Sequence, residues 1–304
     1  MTSQSIFRHA TRRILGLCAG MLCLALFAPA PAFAGHGGSL PDKHGILLVA
    51  FGTSVPEARK ALDNIDAKVK AAFPGVEVRW AYTSKTIRAK IAEETGETLR
   101  SPAEALAAMM DEGFTHVAVQ SLHTIPGEEF HGLVQTAHSF RGMPKGIKKI
   151  VVGDPLLAKS EDLAAAADAL IATLPEKRSP GEAVVFIGHG THHPADVYYA
   201  ALQHYLGKRD PNVFVGTVAG NPTLDDVLAE LENAQPQTAY LLPFMSVAGD
   251  HAMNDMAGDE PDSWKSVLTD KGITAVPVLR GTAEVDPIVD IWVDHLRAAF
   301  DQLQ

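Results

Sequence analysis

The sequence predicts an α/β protein of two similar domains, each a parallel sheet flanked by helices, with a cleft between them. Three observations carry that prediction. Short β-branched runs alternate with stretches of helical period, the pattern of βαβ units. The strand candidate at 46–50 is continuously apolar, as expected where helices cover both faces of a sheet. A motif order also recurs: Phe51-Gly52-Thr53-Ser54-Val55-Pro56 reappears as His189-Gly190-Thr191-His192-His193-Pro194, and Ile125-Pro126-Gly127-Glu128-Glu129 as Val247-Ala248-Gly249-Asp250-His251. Two motif pairs in the same order read as a duplication.

The elements follow in sequence. An apolar strand at 46–50 leads into Ser54-Val55-Pro56-Glu57, which reads as a capping box opening a helix with Ala58, Leu62, Ile65, Val69 and Ala72 on one face. A second strand spans 76–82, Ser101-Pro102-Ala103-Glu104 caps another helix, and a third strand spans 116–120. Further strands fall at 149–152, 183–187, 213–218, 239–242 and 275–278. Pro287 opens a last helix with Ile288, Ile291, Trp292 and Leu296 inside. The domains divide as 44–155 and 156–304, and the last helix is free to pack on either. Open α/β sheets bind ligands at the carboxyl ends of their strands, which places the site in the cleft.

The first 34 residues read differently. Arg8, Arg12 and Arg13 precede an apolar run at 14–27, and Ala32-Phe33-Ala34 supplies a small-x-small cleavage pattern. This is the form of a secretory signal peptide cleaved after Ala34, with export to the periplasm and no lasting membrane anchor. Thr11-Arg12-Arg13-Ile14-Leu15 matches a twin-arginine signal in part. Residues 35–43 form a Gly-rich, polar lead-in. Cleavage removes both cysteines, Cys18 and Cys23, so the mature chain has neither disulfide nor thiolate chemistry. It also removes three arginines and no acid, taking the formal charge from −10 to −13. That balance disfavours nucleic acid as a partner and suits divalent cations.

Histidines stand out as chemical groups. His189 lies between two glycines directly after an apolar strand, so its ring is unobstructed and its base rigid. Neutral imidazole binds divalent metals and takes a proton near neutral pH. The plain alternative is a hydrogen bond to a neighbouring loop. His251 follows Gly249 past a strand expected to neighbour the one before His189. Two imidazoles there can hold a divalent ion with positions left open. Most of the acids around it, Asp250, Asp255, Asp259, Glu260 and Asp262, read as a solvated loop. In the first half His189 and His251 correspond to Phe51 and Glu129. His123 is placed to touch a ligand, whereas His131 and His138 read as surface residues and His192 and His193 as helix-start residues or ligands. The chain has no GxxxxGK[ST], no strand-linked GxGxxG and no GxSxG, which leaves nucleotide, dinucleotide and serine-hydrolase chemistry without support.

From about His44 onward the chain resembles the anaerobic sirohydrochlorin cobaltochelatases (CbiK type), class II chelatases related to ferrochelatase. The resemblance rests on Leu48-Val49-Ala50-Phe51-Gly52-Thr53-Ser54, Gln120-Ser121-Leu122-His123, Gly127-Glu128-Glu129, Gly188-His189-Gly190-Thr191 and 243–259. It implies insertion of a divalent metal, Co2+ with Fe2+ as a second candidate, into a tetrapyrrole without nucleotide. It also implies His189 and His251 as metal ligands, with His189 the proton acceptor. For the substrate's carboxylates the candidates are Arg79, Lys85, Arg88 and Lys90, the hydroxyls of Thr53, Ser54, Thr83 and Ser84, and near them His123 and Glu129. One position departs: where the family has a glutamate completing the metal site, this chain has Ala219. With export, that departure keeps a second reading open, a periplasmic carrier of metal or tetrapyrrole on a chelatase scaffold. A general solute-binding protein also has two lobes but leaves the histidine pair unexplained. Whether the chain forms a homo-oligomer is left open.

Overall fold

The computed structural model describes residues 41–304, so the signal segment, Cys18, Cys23 and most of the lead-in lie outside the described residues. Among the described residues, eight strands form two four-stranded parallel sheets. The first sheet is built from β1 (His44–Ala50), β2 (Glu77–Tyr82), β3 (His116–Ser121) and β4 (Lys149–Gly153). The second is built from β5 (Ala183–Gly188), β6 (Val213–Thr217), β7 (Thr238–Pro243) and β8 (Thr274–Pro277). Between them run α1 (Pro56–Ala72), α2 (Lys85–Thr95), α3 (Pro102–Asp111), α4 (Glu128–Ser139), α5 (Ser160–Ala172), α6 (Val197–Gly207), α7 (Leu224–Ala234), α8 (Trp264–Asp270) and α9 (Asp286–Asp301).

The strand orders are β2-β1-β3-β4 and β6-β5-β7-β8, the same order twice, so the motif repeat of the sequence is a repeat of topology. Gly52 and Gly190 stand at equivalent positions, two residues past β1 and β5 respectively. Both adopt positive φ, +104° and +79°, a region open to glycine at little steric cost.

Alternation along β1 shows why its run is uninterrupted. Ile46, Leu48 and Ala50 face a central core that also takes in Val184 and Phe186 of β5 and side chains of α1, α5, α6 and α9. Leu47 and Val49 face a separate cluster beneath α3 and α4. The second sheet repeats this, with Val185, Ile187 and Leu241 turned toward α7 and α8. Each fully buried leucine or isoleucine contributes about 1.5–3 kcal/mol. The last helix, α9, packs on β3 and β4, and Ile288, Trp292 and Leu296 are buried as the pattern requires, while Ile291 is half-buried.

The capping box at Ser101 forms, its hydroxyl taking the Glu104 N–H (3.3 Å) while the Glu104 carboxylate takes the Ser101 N–H (2.7 Å). The one expected at Ser54 does not. The N-cap of α1 is Val55, without a side-chain bond, and the Val55 N–H is taken by the Thr53 hydroxyl (3.2 Å) instead. Proline at the first position sets the helical start there without help from a serine cap.

A buried polar contact ties α9 to the chain leaving the first sheet. The His295 ring lies 3.0 Å from Asp162 on one nitrogen and 3.2 Å from the Asp154 carbonyl on the other, with His295 and Asp162 only 6% and 5% exposed. Asp162 also takes the N–H groups of Ala158 and Lys159, each at 3.1 Å. Among the described residues, no helix is long and apolar enough to cross a membrane.

Candidate active site

β5 and β7 are hydrogen-bonded neighbours, so the loops leaving their carboxyl ends emerge side by side. That adjacency brings His189 and His251 together, with ring centroids 4.6 Å apart and planes at 82°. His189 is exposed and His251 half-buried, so the pair opens to solvent on one side.

Each ring is oriented through Nδ1. In His189 that atom faces the Gly190 carbonyl at 2.8 Å, and in His251 it faces the Asp255 carboxylate at 2.8 Å. Neither partner can donate, so in the neutral ring Nδ1 carries the proton and Nε2 keeps its lone pair. This arrangement suits metal ligands, whose second nitrogen is held by a carbonyl or carboxylate. Among the described residues neither Nε2 has a hydrogen-bond partner. His251 precedes a single π-helical turn, Ala252–Met256, and Asp255 reaches back to it from four residues on.

Ala219 stands directly beside this pair, its N–H donating to the His189 carbonyl (2.8 Å). Its methyl group offers no ligand, and among the described residues no cluster of three or more His, Cys, Asp or Glu side chains is arranged to hold a metal. The groups brought together here are two imidazoles, with no carboxylate in the place of Ala219.

The first half reaches the site through Thr53. Thr53 is buried, and its hydroxyl lies 3.0 Å from where a side chain on Gly249 would begin, so the loop after β1 abuts the loop carrying His251. Ser54 is half-buried beside it, and Glu129 is exposed in the first turn of α4.

Several sequence candidates are engaged elsewhere. Ser84 is buried, and its hydroxyl caps α2 by taking the Ile87 N–H (3.2 Å). Arg88 lies 3.6 Å from Glu104 of α3, and Arg79 is bound to Glu112 (2.6 Å). These bonds engage Ser84 and Arg88 with helix α2 and with Glu104 of α3. His193 spends its Nδ1 lone pair as an N-cap for the Ala195 N–H (3.1 Å), so its Nε2 carries the proton and is no metal ligand in that state. His131 packs against it at 5.1 Å, and His192 is exposed.

His123 is part-buried between Ser121 (2.8 Å) and Thr83 (3.4 Å). Burial pushes its pKa down to about 4, so it is neutral at pH 7. The unfolded value is near 6.5, so the unfolded chain binds more protons between the two values and stability rises with pH across that window. His123→Gln is expected to flatten the dependence of unfolding free energy on pH between 4 and 6.5, where the histidine contributes at most about 3 kcal/mol. Denaturant melts at several pH values check this.

Sequence reasoning placed Asp255 among the solvated acids, missing its bond to His251, and overlooked Tyr199. The spacing of His251 and Asp255, four apart on a helical turn, is a signal that was available. Tyr199 has none: its ring fills the space beside Gly188, and its hydroxyl accepts the Gly190 N–H (3.4 Å) behind His189, with burial pushing its phenol up to about 12.

The fold of two parallel sheets has counterparts among solved chelatases. SirB from Bacillus subtilis with Fe3+ matches with a TM-score of 0.55 at 18% identity, over 85% of this chain and 96% of its own. CbiX, described as the terminal enzyme of siroheme biosynthesis in denitrifying bacteria, matches with a TM-score of 0.50 at 15% identity, over 84% of this chain and 99% of its own. These likenesses define a chelatase-type fold. The profile of the cobalt chelatase (CbiK) family matches residues 44–301, and the chain belongs to that family of enzymes. A sirohydrochlorin cobaltochelatase of Nitratidesulfovibrio vulgaris is 48% identical over 86% of this chain and 92% of its own length. The sirohydrochlorin cobaltochelatase of Salmonella typhimurium is 34% identical over 85% and 97%.

Proposed function

We propose that this enzyme inserts Co2+ into sirohydrochlorin or a closely related tetrapyrrole without a nucleotide, and that it also accepts Fe2+. The names of its relatives support the substrate and metal. The observation that carries the reading is the pair of imidazoles, each fixed through Nδ1 and presenting Nε2 at neighbouring strand ends. Insertion must strip water from the ion and remove two pyrrole protons. Two neutral nitrogens hold a divalent cation while leaving positions for pyrrole nitrogens to enter. His189, the more exposed ring, accepts a proton from the macrocycle, the general-base role in which histidine most often serves. His251 keeps its orientation through Asp255 as the metal passes on. Thr53, Ser54 and Glu129 border the path from the first half. The signal-like N-terminus supports a periplasmic location for the mature chain.

The carrier reading has one observation in its favour, the alanine beside His189. Anaerobic incubation with sirohydrochlorin and Co2+, followed by absorbance, separates the two. The enzyme reading predicts metallation well above the uncatalysed rate, whereas stoichiometric binding without acceleration supports the carrier. Ala219→Glu places a carboxylate against the pair and is expected to tighten Co2+ binding roughly tenfold, equivalent to about 1.4 kcal/mol. Titration calorimetry checks this, and unchanged affinity means that the side chain at 219 does not reach the ion.

A further inference from the structure

Asp196 ends the 3-10 turn Pro194–Asp196 ahead of α6 and is only 9% exposed. One carboxylate oxygen takes the Thr191 N–H (3.0 Å), and the other takes the Asn221 N–H (2.6 Å) and its side-chain amide (3.3 Å). The donors come from two loops, the one after β5 that carries His189 and the one after β6 that carries Ala219. A buried carboxylate is costly unless its hydrogen bonds are made, and such charge-assisted bonds are short and strong. The two loops meet backbone to backbone. A side chain on Gly190 would begin 2.4 Å from the Gly220 nitrogen, and one on Gly220 would begin 2.3 Å from Asp196.

We infer that Asp196 is a positioning residue for metal insertion, a clasp that closes the His189 loop onto the Ala219 loop and so sets where the His189 ring stands; this rests on the metal-insertion reading above. Its oxygens are occupied by three amide donors, so it acts through His189 and does not ligate the ion itself. Asparagine cannot replace it. Either orientation of the amide sets an NH2 group against a backbone N–H, leaving one loop untied.

The test is Asp196→Asn in the mature protein, read by Co2+ titration with its visible ligand-field bands, by kcat and KM for sirohydrochlorin, and by melting temperature. The clasp predicts Co2+ affinity weaker by about tenfold or more, altered band positions and a lower kcat, with KM for the macrocycle little changed. A lower melting temperature with unchanged bands and unchanged kcat overturns it, since that is the behaviour of a purely structural contact. Should Asp196→Asn fail to fold, Asn221→Ala removes only the longest of the three bonds and is expected to shift affinity and bands in the same direction by less; no shift there also overturns the clasp. Wild-type bands that do not depend on His189 and His251 defeat the metal-insertion reading, and Asp196 with it. Bands that depend on both histidines but ignore Asp196→Asn defeat the clasp alone.

Discussion

His189→Ala and His251→Ala are each expected to lower kcat for metal insertion by at least about a hundredfold, the range set by loss of a positioned proton acceptor. The melting temperature is expected to hold. His189 is exposed and His251 half-buried, so neither truncation opens a cavity in the core. The double variant is expected to be little worse than the worse single variant, because side chains that act as a unit lose their function together. Steady-state absorbance under anaerobic conditions measures all three. Losses that multiply in the double variant would mean that the rings work independently, and unaltered turnover in both single variants would remove them from the chemistry.

The largest effect on stability is expected from His295→Ala. It leaves one oxygen of Asp162 buried and unpaired at 5% exposure, although the other oxygen keeps the Ala158 and Lys159 N–H groups. Breaking a buried pair by removing one partner costs about 3–5 kcal/mol. For a chain of this size that is a fall in melting temperature on the order of 10 °C. Asp162→Asn added to His295→Ala is expected to recover part of the loss, since it removes the uncompensated charge. Calorimetric melts of the three variants check this, and equal melting temperatures for the single and double variants would show that the charge is not what destabilises.

Much of the fold was legible because burial imposes strict patterns. Ile46 to Ala50 had to be apolar at every position, since alternate side chains enter two different clusters. The repeated motifs marked equivalent turns at Gly52 and Gly190, where positive φ recurs. Helix α2 was missed because it buries only Ile91 and so carries no apolar stripe. The cap at Ser54 was misplaced because proline can start a helix without a side-chain cap.

In the site, His189 and His251 were legible from their place at strand ends. Their orientation was not, because it depends on a carbonyl one residue away and a carboxylate one π-turn away. For Ser84 and Arg88 the sequence leaves the role undecided. Polar groups near strand ends serve as helix caps and ion pairs as readily as they meet substrate, and only three-dimensional pairing with Ile87 and Glu104 separates the roles.

X-ray absorption at the cobalt edge of the Co2+-loaded mature protein addresses the ion's own surroundings. The expected spectrum contains scattering from two imidazole rings, the other neighbours being oxygen, and His189→Ala and His251→Ala should each remove one ring. A wild-type spectrum without imidazole scattering, or one unchanged by either substitution, would contradict the account.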